Sequence, residues 1–353
     1  MKNLSLLLFS AMALFLGHSY QGLAQQDKPV GTLEIVAELD VTPGNAAVSR
    51  EGRVFATVHP LRPRNVQLIE ITGKTAYVAF PNKVAQSQVD LKSEDKLDTP
   101  LGIVFDSKNR LWVLDVGLNI GKTRLFAYDI DTRKEILHFD IPQELAPEDS
   151  FVQDLAVDDD NGFVYLADVR NPGIIVVNIN DGTFRKIIDL PSMQAEDADM
   201  IIDGNVQKFE GEPARIAIDP ITISADNETL YYGSMNGTKW YQLPTRGIRN
   251  GDPESKLIKQ ISIVAEKPFS DGVETDENGN HYITNIQDYS IDVLTNNGEL
   301  RTIKKDPLLD WPDSVRIHGD WLYIAASQVH KTAAFAGGKD IGTMPFRILR
   351  VKY

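Results

Sequence analysis

Trp311-Pro-Asp-Ser-Val-Arg-Ile-His-Gly-Asp-Trp-Leu-Tyr-Ile-Ala-Ala-Ser-Gln-Val-His330 is the stretch from which the fold can be read. Val315 to Ile317 reads as a short strand, His318 to Asp320 as a tight polar turn, and Trp321 to Ala325 as a second strand. The phrase recurs upstream. Pro100-Leu-Gly-Ile-Val-Phe-Asp106 leads into Leu111-Trp-Val-Leu-Asp115, and Gln153-Asp-Leu-Ala-Val-Asp158 into Val164-Tyr-Leu-Ala-Asp168. Ala214-Arg-Ile-Ala-Ile-Asp219 leads into Leu230-Tyr-Tyr232, and Asp271-Gly-Val-Glu-Thr-Asp276 into His281-Tyr-Ile-Thr-Asn285. A degenerate first copy runs from Asn45 to Val58. Copies spaced by roughly 40–65 residues are the signature of a repeat architecture built from β units.

Downstream of each copy the chain offers an outer hairpin. Val66 to Ile71 with Thr75 to Phe80, Leu125 to Ile130 with Ile136 to Ile141, and Gly173 to Ile179 with Thr183 to Leu190 supply the first three. Lys239 to Leu243 with Leu257 to Val264, and Ser290 to Leu294 with Leu300 to Lys304, supply the next two. The sixth copy has only one further strand, Phe346 to Val351, while Leu33 to Leu39 is a spare strand at the opposite terminus. Pairing that strand with the last unit removes an exposed edge. The expected fold is therefore an all-β, six-bladed β-propeller closed by its N-terminal strand. A β-sandwich pair is the alternative, disfavoured because sandwiches do not repeat a four-strand phrase. Ser192 to Glu212 is a long connection, lid-like if ordered.

One repeat pattern covers nearly all of the 353 residues, so a single domain over 25–353 is expected. Residues 1–24 read as a cleavable signal peptide: Lys2, an apolar run from Leu4 to Leu16, and Gly22-Leu-Ala24 as the small-residue cleavage site. That run is too short to span a bilayer, so export to the periplasm or medium without membrane insertion is expected. The net charge of −14 opposes binding to nucleic acid or anionic lipid. There is no cysteine, which excludes disulfides, thiolate metal sites and cysteine nucleophiles. No Gly-x-Ser-x-Gly elbow, phosphate-binding glycine loop or His/Glu zinc helix occurs. A monomer is expected.

The first strand of each propeller blade lines the central channel, and ligands sit at one mouth of it. Aligning the copies on Ala47, Ile103, Leu155, Ile216, Val273 and Val315 gathers Asn45, Gln153, Asp154, Arg215, Asp271, Asp313, Ser314 and Asn285 at that mouth. Core-facing strand ends rarely carry so many polar groups without a use. Asp106, Asp158, Asp219 and Asp276 read instead as residues that hold turns. Trp112, Phe151, Tyr289 and Trp311 are candidates to stack on a flat ligand; Trp112, Tyr165, Tyr282 and Tyr323 share a second-strand position better suited to inter-blade core. His330 falls on a mouth loop.

Pro100 to Gly117, Gly162 to Asp168 with Gly173 to Asn178, and Ile216 to Pro220 with Leu230 to Tyr232 resemble, in order, the signatures of the major royal jelly/yellow protein family. Trp311-Pro-Asp-Ser314, Ser327-Gln-Val-His330 and Pro345-Phe-Arg-Ile-Leu-Arg-Val351 extend the resemblance through the C-terminus. It implies a secreted six-bladed propeller. Members include dopachrome-converting enzymes, salivary binders of aromatic amines and nutritive proteins, so it does not fix one activity. In the amine binders the pocket lies near the last-blade motif; the matching positions here are Ser314, Ser327 and Gln328, with His330 beside them, although the family often has Ser-Asn where this chain has Ser327-Gln328. A more distant likeness is to gluconolactonase/regucalcin-type propellers, which hold a divalent metal with Glu, Asn and Asp. Asp271 matches the Asp, Asn45 stands where the Glu would be, and Ala214 replaces the Asn.

Two functions are expected on these grounds. One is binding of a small cationic or aromatic molecule through Asp154, Gln153, Asn285, Ser314, Ser327, Gln328 and His330. The other is an enzyme at the same mouth. As a tautomerase it would use Asp271 or Asp313 to move a proton and Arg215 to stabilise an enolate. As a lactonase-like hydrolase it would use Ca²⁺ or another divalent ion on Asp271, Asn285 and Asn45.

Overall fold

A computed structural model describes residues 28–62, 65–87 and 93–353. The described residues form six four-stranded antiparallel sheets. Blade one comprises Pro43–Val48, Val54–Val58, Leu68–Gly73 and Ala76–Ala79. Blade two comprises Pro100–Phe105, Arg110–Asp115, Arg124–Asp129 and Lys134–Asp140. Blade three comprises Val152–Asp158, Phe163–Asp168, Gly173–Asn178 and Phe184–Ile187. Blade four comprises Ile218–Ile223, Thr229–Ser234, Lys239–Pro244 and Ser262–Glu266. Blade five comprises Val273–Thr275, His281–Asn285, Ser290–Leu294 and Leu300–Lys305.

Blade six is assembled from both ends of the sequence. Pro312–His318, Trp321–Ala326 and Phe346–Lys352 are followed in the sheet by Leu33–Leu39, antiparallel, with Leu33 opposite Val351 and Leu39 opposite Phe346. The strand buries Ala37 and Leu39 in the core shared with blade one, and Glu34 accepts hydrogen bonds at 2.9 and 2.6 Å from Nε and Nη2 of Arg350. Closure at the N-terminal strand is thus as expected, and it satisfies an edge that would otherwise be open.

Apolar second-strand residues supply the packing between blades, where facing sheets interdigitate. Phe55 meets Phe80 and Phe105 edge to face at 5.0 and 5.7 Å, and Trp112 is fully buried. Near the mouth the blades converge until only glycine fits. A Cβ at Gly102 would lie 2.3 Å from the carbonyl of Gln153, and one at Gly272 would lie 2.5 Å from that of Asp313.

Two local expectations change. Leu257 to Val264 is not one strand: Leu257 ends a short helix, Glu254–Leu257, and the outer strand is Ser262–Glu266. The loop Asn250-Gly251-Asp252-Pro253 keeps the chain turning before that helix. The long connection is ordered as two small hairpins, Ile201–Ile202 with Asn205–Val206, and Lys208–Phe209 with Glu212–Pro213. The predicted export segment at 1–24 lies outside the described residues. Among the described residues no helix is long and apolar enough to cross a membrane.

Candidate functional site

Five of the six first strands carry a β-bulge at their mouth end, which re-aims the side chains before the ladder becomes regular. Beyond it, Ala46 lies opposite Ala56, Ile103 opposite Val113, Leu155 opposite Leu166, Ile221 opposite Tyr232, Val273 opposite Ile283 and Val315 opposite Ile324. Two residues before each of these stand Gly44, Leu101, Gln153, Asp219, Asp271 and Asp313. Three consecutive blades thus bring an aspartate to the same level of the mouth. One residue later stand Asn45, Asp154 and Ser314, from blades one, three and six.

These acids are buried and have little positive charge to share. Asp313 accepts Ser327 Oγ–H at 2.8 Å on Oδ2 and Asn45 Nδ2–H at 3.1 Å on Oδ1, with His59 Nε2 at 3.9 Å. Asp271 accepts the Trp311 indole N–H at 2.6 Å. Asp154 accepts the Leu155 N–H at 2.9 Å. Neither carboxylate oxygen of Asp219 has a partner in full hydrogen-bond geometry, although the side chains of Gln153 and Asp271 approach closely enough to favour its charged form. Arg316 reaches into the channel, where its Nη2 lies 3.7 Å from Asp154 and its Nη1 3.5 Å from Glu274. It also donates to the carbonyls of Ile103, Val273 and Val315 and to Asn45 Oδ1.

Burial raises these carboxyls because the charged form loses its hydration. Asp154 is pushed up to about 6 against the pull of Arg316. Asp313 and Glu274 are each pushed up to about 7. Asp219 and Asp271 lie well above the ordinary carboxylate range, through burial first and then through the neighbouring aspartates. Because these carboxyls lie close together, ionisation of one opposes ionisation of the next.

An aromatic and aliphatic ceiling covers the ring. Met200 and Ile202 of the long connection, and Ala214 just after it, pack with Trp311, Val329, Phe335, Phe269 and Ile286, and Phe209 joins them. His330 stacks on Trp311 at 5.8 Å and 16°, and Phe335 meets the indole edge-on at 5.4 Å. Trp311 and Tyr289 both have left-handed backbones, with φ of 54° and 53°. Bulky residues pay about 1–3 kcal/mol for such conformations, which therefore persist only where the surroundings fix them. The lid is tied down by Tyr289 Oη–H to Asp203 at 2.7 Å and Glu210 N–H to the Ala334 carbonyl at 2.9 Å. Its base is held by Thr238 N–H to Glu196 and by both ends of the Asn236 amide, which bridge Ala214 and Ile216.

The family model for the major royal jelly proteins matches residues 99–353. The chain belongs to the major royal jelly protein family. Among curated relatives, major royal jelly protein 1 of Apis mellifera is 27% identical over 186 residues, which is 46% of this chain and 42% of the relative. Major royal jelly protein 7 is 27% identical over 158 residues, 41% of this chain and 34% of the relative. The matched stretches therefore cover under half the length of these relatives. Two solved structures share the fold. Virginiamycin B lyase from Staphylococcus aureus aligns with a TM-score of 0.55 at 14% identity, over 91% of this chain and 98% of its own. A gluconolactonase from Xanthomonas campestris aligns with a TM-score of 0.56 at 11% identity, over 91% of this chain and 88% of its own.

Within this royal jelly propeller, the mouth brings together Asp154, Asp271, Asp313, Asn45, Ser314 and Ser327, with Gln153 beside Asp219. Ser314 Oγ accepts the Ala46 N–H at 2.9 Å, joining blade six to blade one. Arg215 is elsewhere. It is exposed at the foot of the lid, where its Nη2 pairs with Asp197 and Asp199 at 3.0 and 2.9 Å. The expected alignment ran five residues early in blade four, because Ala-Arg-Ile-Ala-Ile-Asp219 imitates the repeat phrase. The same slip assigned Asp219 to a turn, whereas it lies at the mouth. Counting back from the polar turn would have found it: Ile221 stands three residues before Ser224, as Ile103 does before Asp106 and Leu155 before Asp158. Blade one is shifted by one residue, so Ala46 rather than Ala47 holds the core position.

Gln328 closes its own loop, donating to the Thr343 carbonyl at 2.9 Å and accepting the Thr343 N–H at 2.8 Å. Asn285 gives its amide to Asp292 at 2.9 Å within blade five. Asn45 gives its amide to Asp313, so the set Asp271, Asn285 and Asn45 is internally engaged, and among the described residues no three His, Cys, Asp or Glu side chains are grouped to hold a metal ion. Arg316, Glu274 and His59 are the further polar groups of the channel that the sequence pattern left unmarked. Trp112 serves the core, donating to Asp106 at 2.8 Å, and Trp311 is the aromatic residue in contact with the acids.

Proposed function

We propose that this exported propeller binds a small organic cation with a flat apolar body, held between the mouth aspartates and the aromatic lid. The observation that carries this reading is the imbalance of charge. Asp219, Asp271 and Asp313 share one buried ring with Asp154, while Arg316 is engaged by Asp154, Glu274 and backbone carbonyls. Buried carboxyls without cationic partners stay protonated or await a positive charge. Trp311, which touches Asp271, is packed with His330 and Phe335 into an aromatic cluster beside the acids, and a cation or a flat ring gains from such ring surfaces. A second reading, proton transfer on the bound molecule, draws support from Asp313, whose raised value of about 7 suits a general acid–base group.

The test is a thermal-shift and calorimetric comparison of tryptamine, tyramine and dopamine with the anionic analogue indole-3-acetate. Saturation at a hundred times Kd stabilises a chain by about 2.7 kcal/mol. Stabilisation by the amines and none by the acid is expected. Equal effects of the two charge types would overturn the reading, and conversion of a bound amine or quinone into a new product would favour the second.

A further inference from the structure

We infer that Asp219 anchors the ligand, and that the mouth selects cations carrying N–H donors (primary ammonium, amidinium or guanidinium) over quaternary ammonium. This rests on the cation-binding reading and narrows it.

A buried carboxylate offers about four acceptor sites, and its neighbours normally fill several of them. Asp271, Asp313 and Asp154 each have at least one donor in place. Asp219, at the same level in the ring as Asp271 and Asp313, has none in full hydrogen-bond geometry on either oxygen, the side chains of Gln153 and Asp271 only approaching it, and is fully buried. The sequence itself removes the local donor. Asp154 receives the N–H of the residue that follows it, whereas Asp219 is followed by Pro220, which has no N–H.

No resident cation supplies the missing bond. Arg316 is engaged as described, and the Nζ of Lys267 is enclosed by the carbonyls of Ser234, Gly237 and Pro268 and by Ser270 Oγ, at 2.7 to 3.1 Å. His59 faces Asp313, Arg215 is held by Asp197 and Asp199, and Lys331 by Asp310. An unsatisfied buried acceptor is costly enough to be rare, and persists where another requirement keeps it. Two N–H groups of a primary ammonium, amidinium or guanidinium would satisfy both oxygens; a trimethylammonium group carries the same charge but donates nothing.

The deciding experiment is calorimetry on the mature chain with tryptamine and with N,N,N-trimethyltryptammonium. Binding of the quaternary ion at least tenfold weaker than tryptamine is expected. In Asp219→Asn, tryptamine should lose at least tenfold in affinity and its advantage should vanish, with thermal stability unchanged or raised. Equal affinity of wild type for the two ions would overturn the anchor while leaving cation binding intact. An undiminished preference in Asp219→Asn would also overturn it. Failure of both ions to bind would overturn the cation-binding reading and the anchor together. Should the variant not fold, the wild-type pair of ligands still decides.

Discussion

The first strand of each blade runs from the mouth to a turn on the opposite face, and aspartates at its two ends live under contrasting conditions. At the turn end, Asp106 accepts the N–H groups of Lys108 and Arg110, the Arg110 Nε–H at 2.6 Å and the Trp112 indole at 2.8 Å. Asp276 repeats the arrangement with Asn278, Asn280 and Tyr282, and Asp158 with Asn161 and Arg249. Asp106 and Asp276 hold their own blade's turn to the strand that follows, and Asp158 adds a contact to Arg249 of the neighbouring blade. At the mouth end, Asp219, Asp271 and Asp313 face one another. The same residue type collects several donors at one end, whereas at the other it has one or two, and in the case of Asp219 none in full hydrogen-bond geometry. What differs is the supply of donors. A turn exposes backbone N–H groups that a carboxylate can collect, whereas converging strands have already committed theirs to the ladder.

The contrast can be broken most forcefully at the turn. Asp106→Ala should cost about 3 kcal/mol, since it strips partners from a buried indole and a guanidinium. Urea denaturation would show this, and amine affinity should be untouched. A loss below about 1 kcal/mol would mean that the turn does not depend on its aspartate. The opposite profile is expected of Asp271→Asn. Amine affinity should fall at least tenfold, about 1.4 kcal/mol, while stability stays within about 1 kcal/mol of wild type because an acceptor for Trp311 remains.

A third prediction concerns pH. The raised carboxyls bind protons in the folded chain at pH values where the unfolded chain has released them. Their stabilising effect is full below the unfolded carboxyl range and is lost as pH rises through the folded values, about 6 for Asp154 and about 7 for Asp313 and Glu274. His281 and His330, pushed down to about 4 by burial, act in the opposite sense over the same window, but the mouth acids outnumber them. Unfolding free energy should therefore fall between about pH 5 and 7, by about 1.4 kcal/mol per pH unit for each excess proton. Asp219→Asn should flatten that slope; an unchanged slope would place the protons elsewhere. The smallest effect is expected at the lid. Tyr289→Phe removes one hydrogen bond to Asp203, so it should cost about 1 kcal/mol or less. Its signature would be faster ligand dissociation in stopped flow, with little change in melting temperature.

Much of the architecture was legible because a strand writes its burial with period two and a propeller repeats the phrase blade after blade. The closing strand was visible as a leftover from counting. The site was legible only where the repeat was faithful, so Asp271 and Asp313 stood out while blade four misled. There, Ala-Arg-Ile-Ala-Ile-Asp219 has the alternation of a first strand but belongs largely to the lid's return. The strand itself begins at Ile218, interrupted by Pro220 at its bulge. Pro at a bulge is where strands tolerate it, yet in a sequence it reads as a break.

The sequence by itself determined the blade count, the order of strands, the closure and the acidity of the mouth, because these follow from local periodicity and residue type. Tertiary structure alone decided which acids meet, that Arg316 enters the channel while Arg215 stays outside it, and that Asp219 is buried without a donor in full hydrogen-bond geometry. Those outcomes depend on the convergence of six strands distant in sequence, and the energy of a carboxylate is set by what surrounds it rather than by its neighbours along the chain.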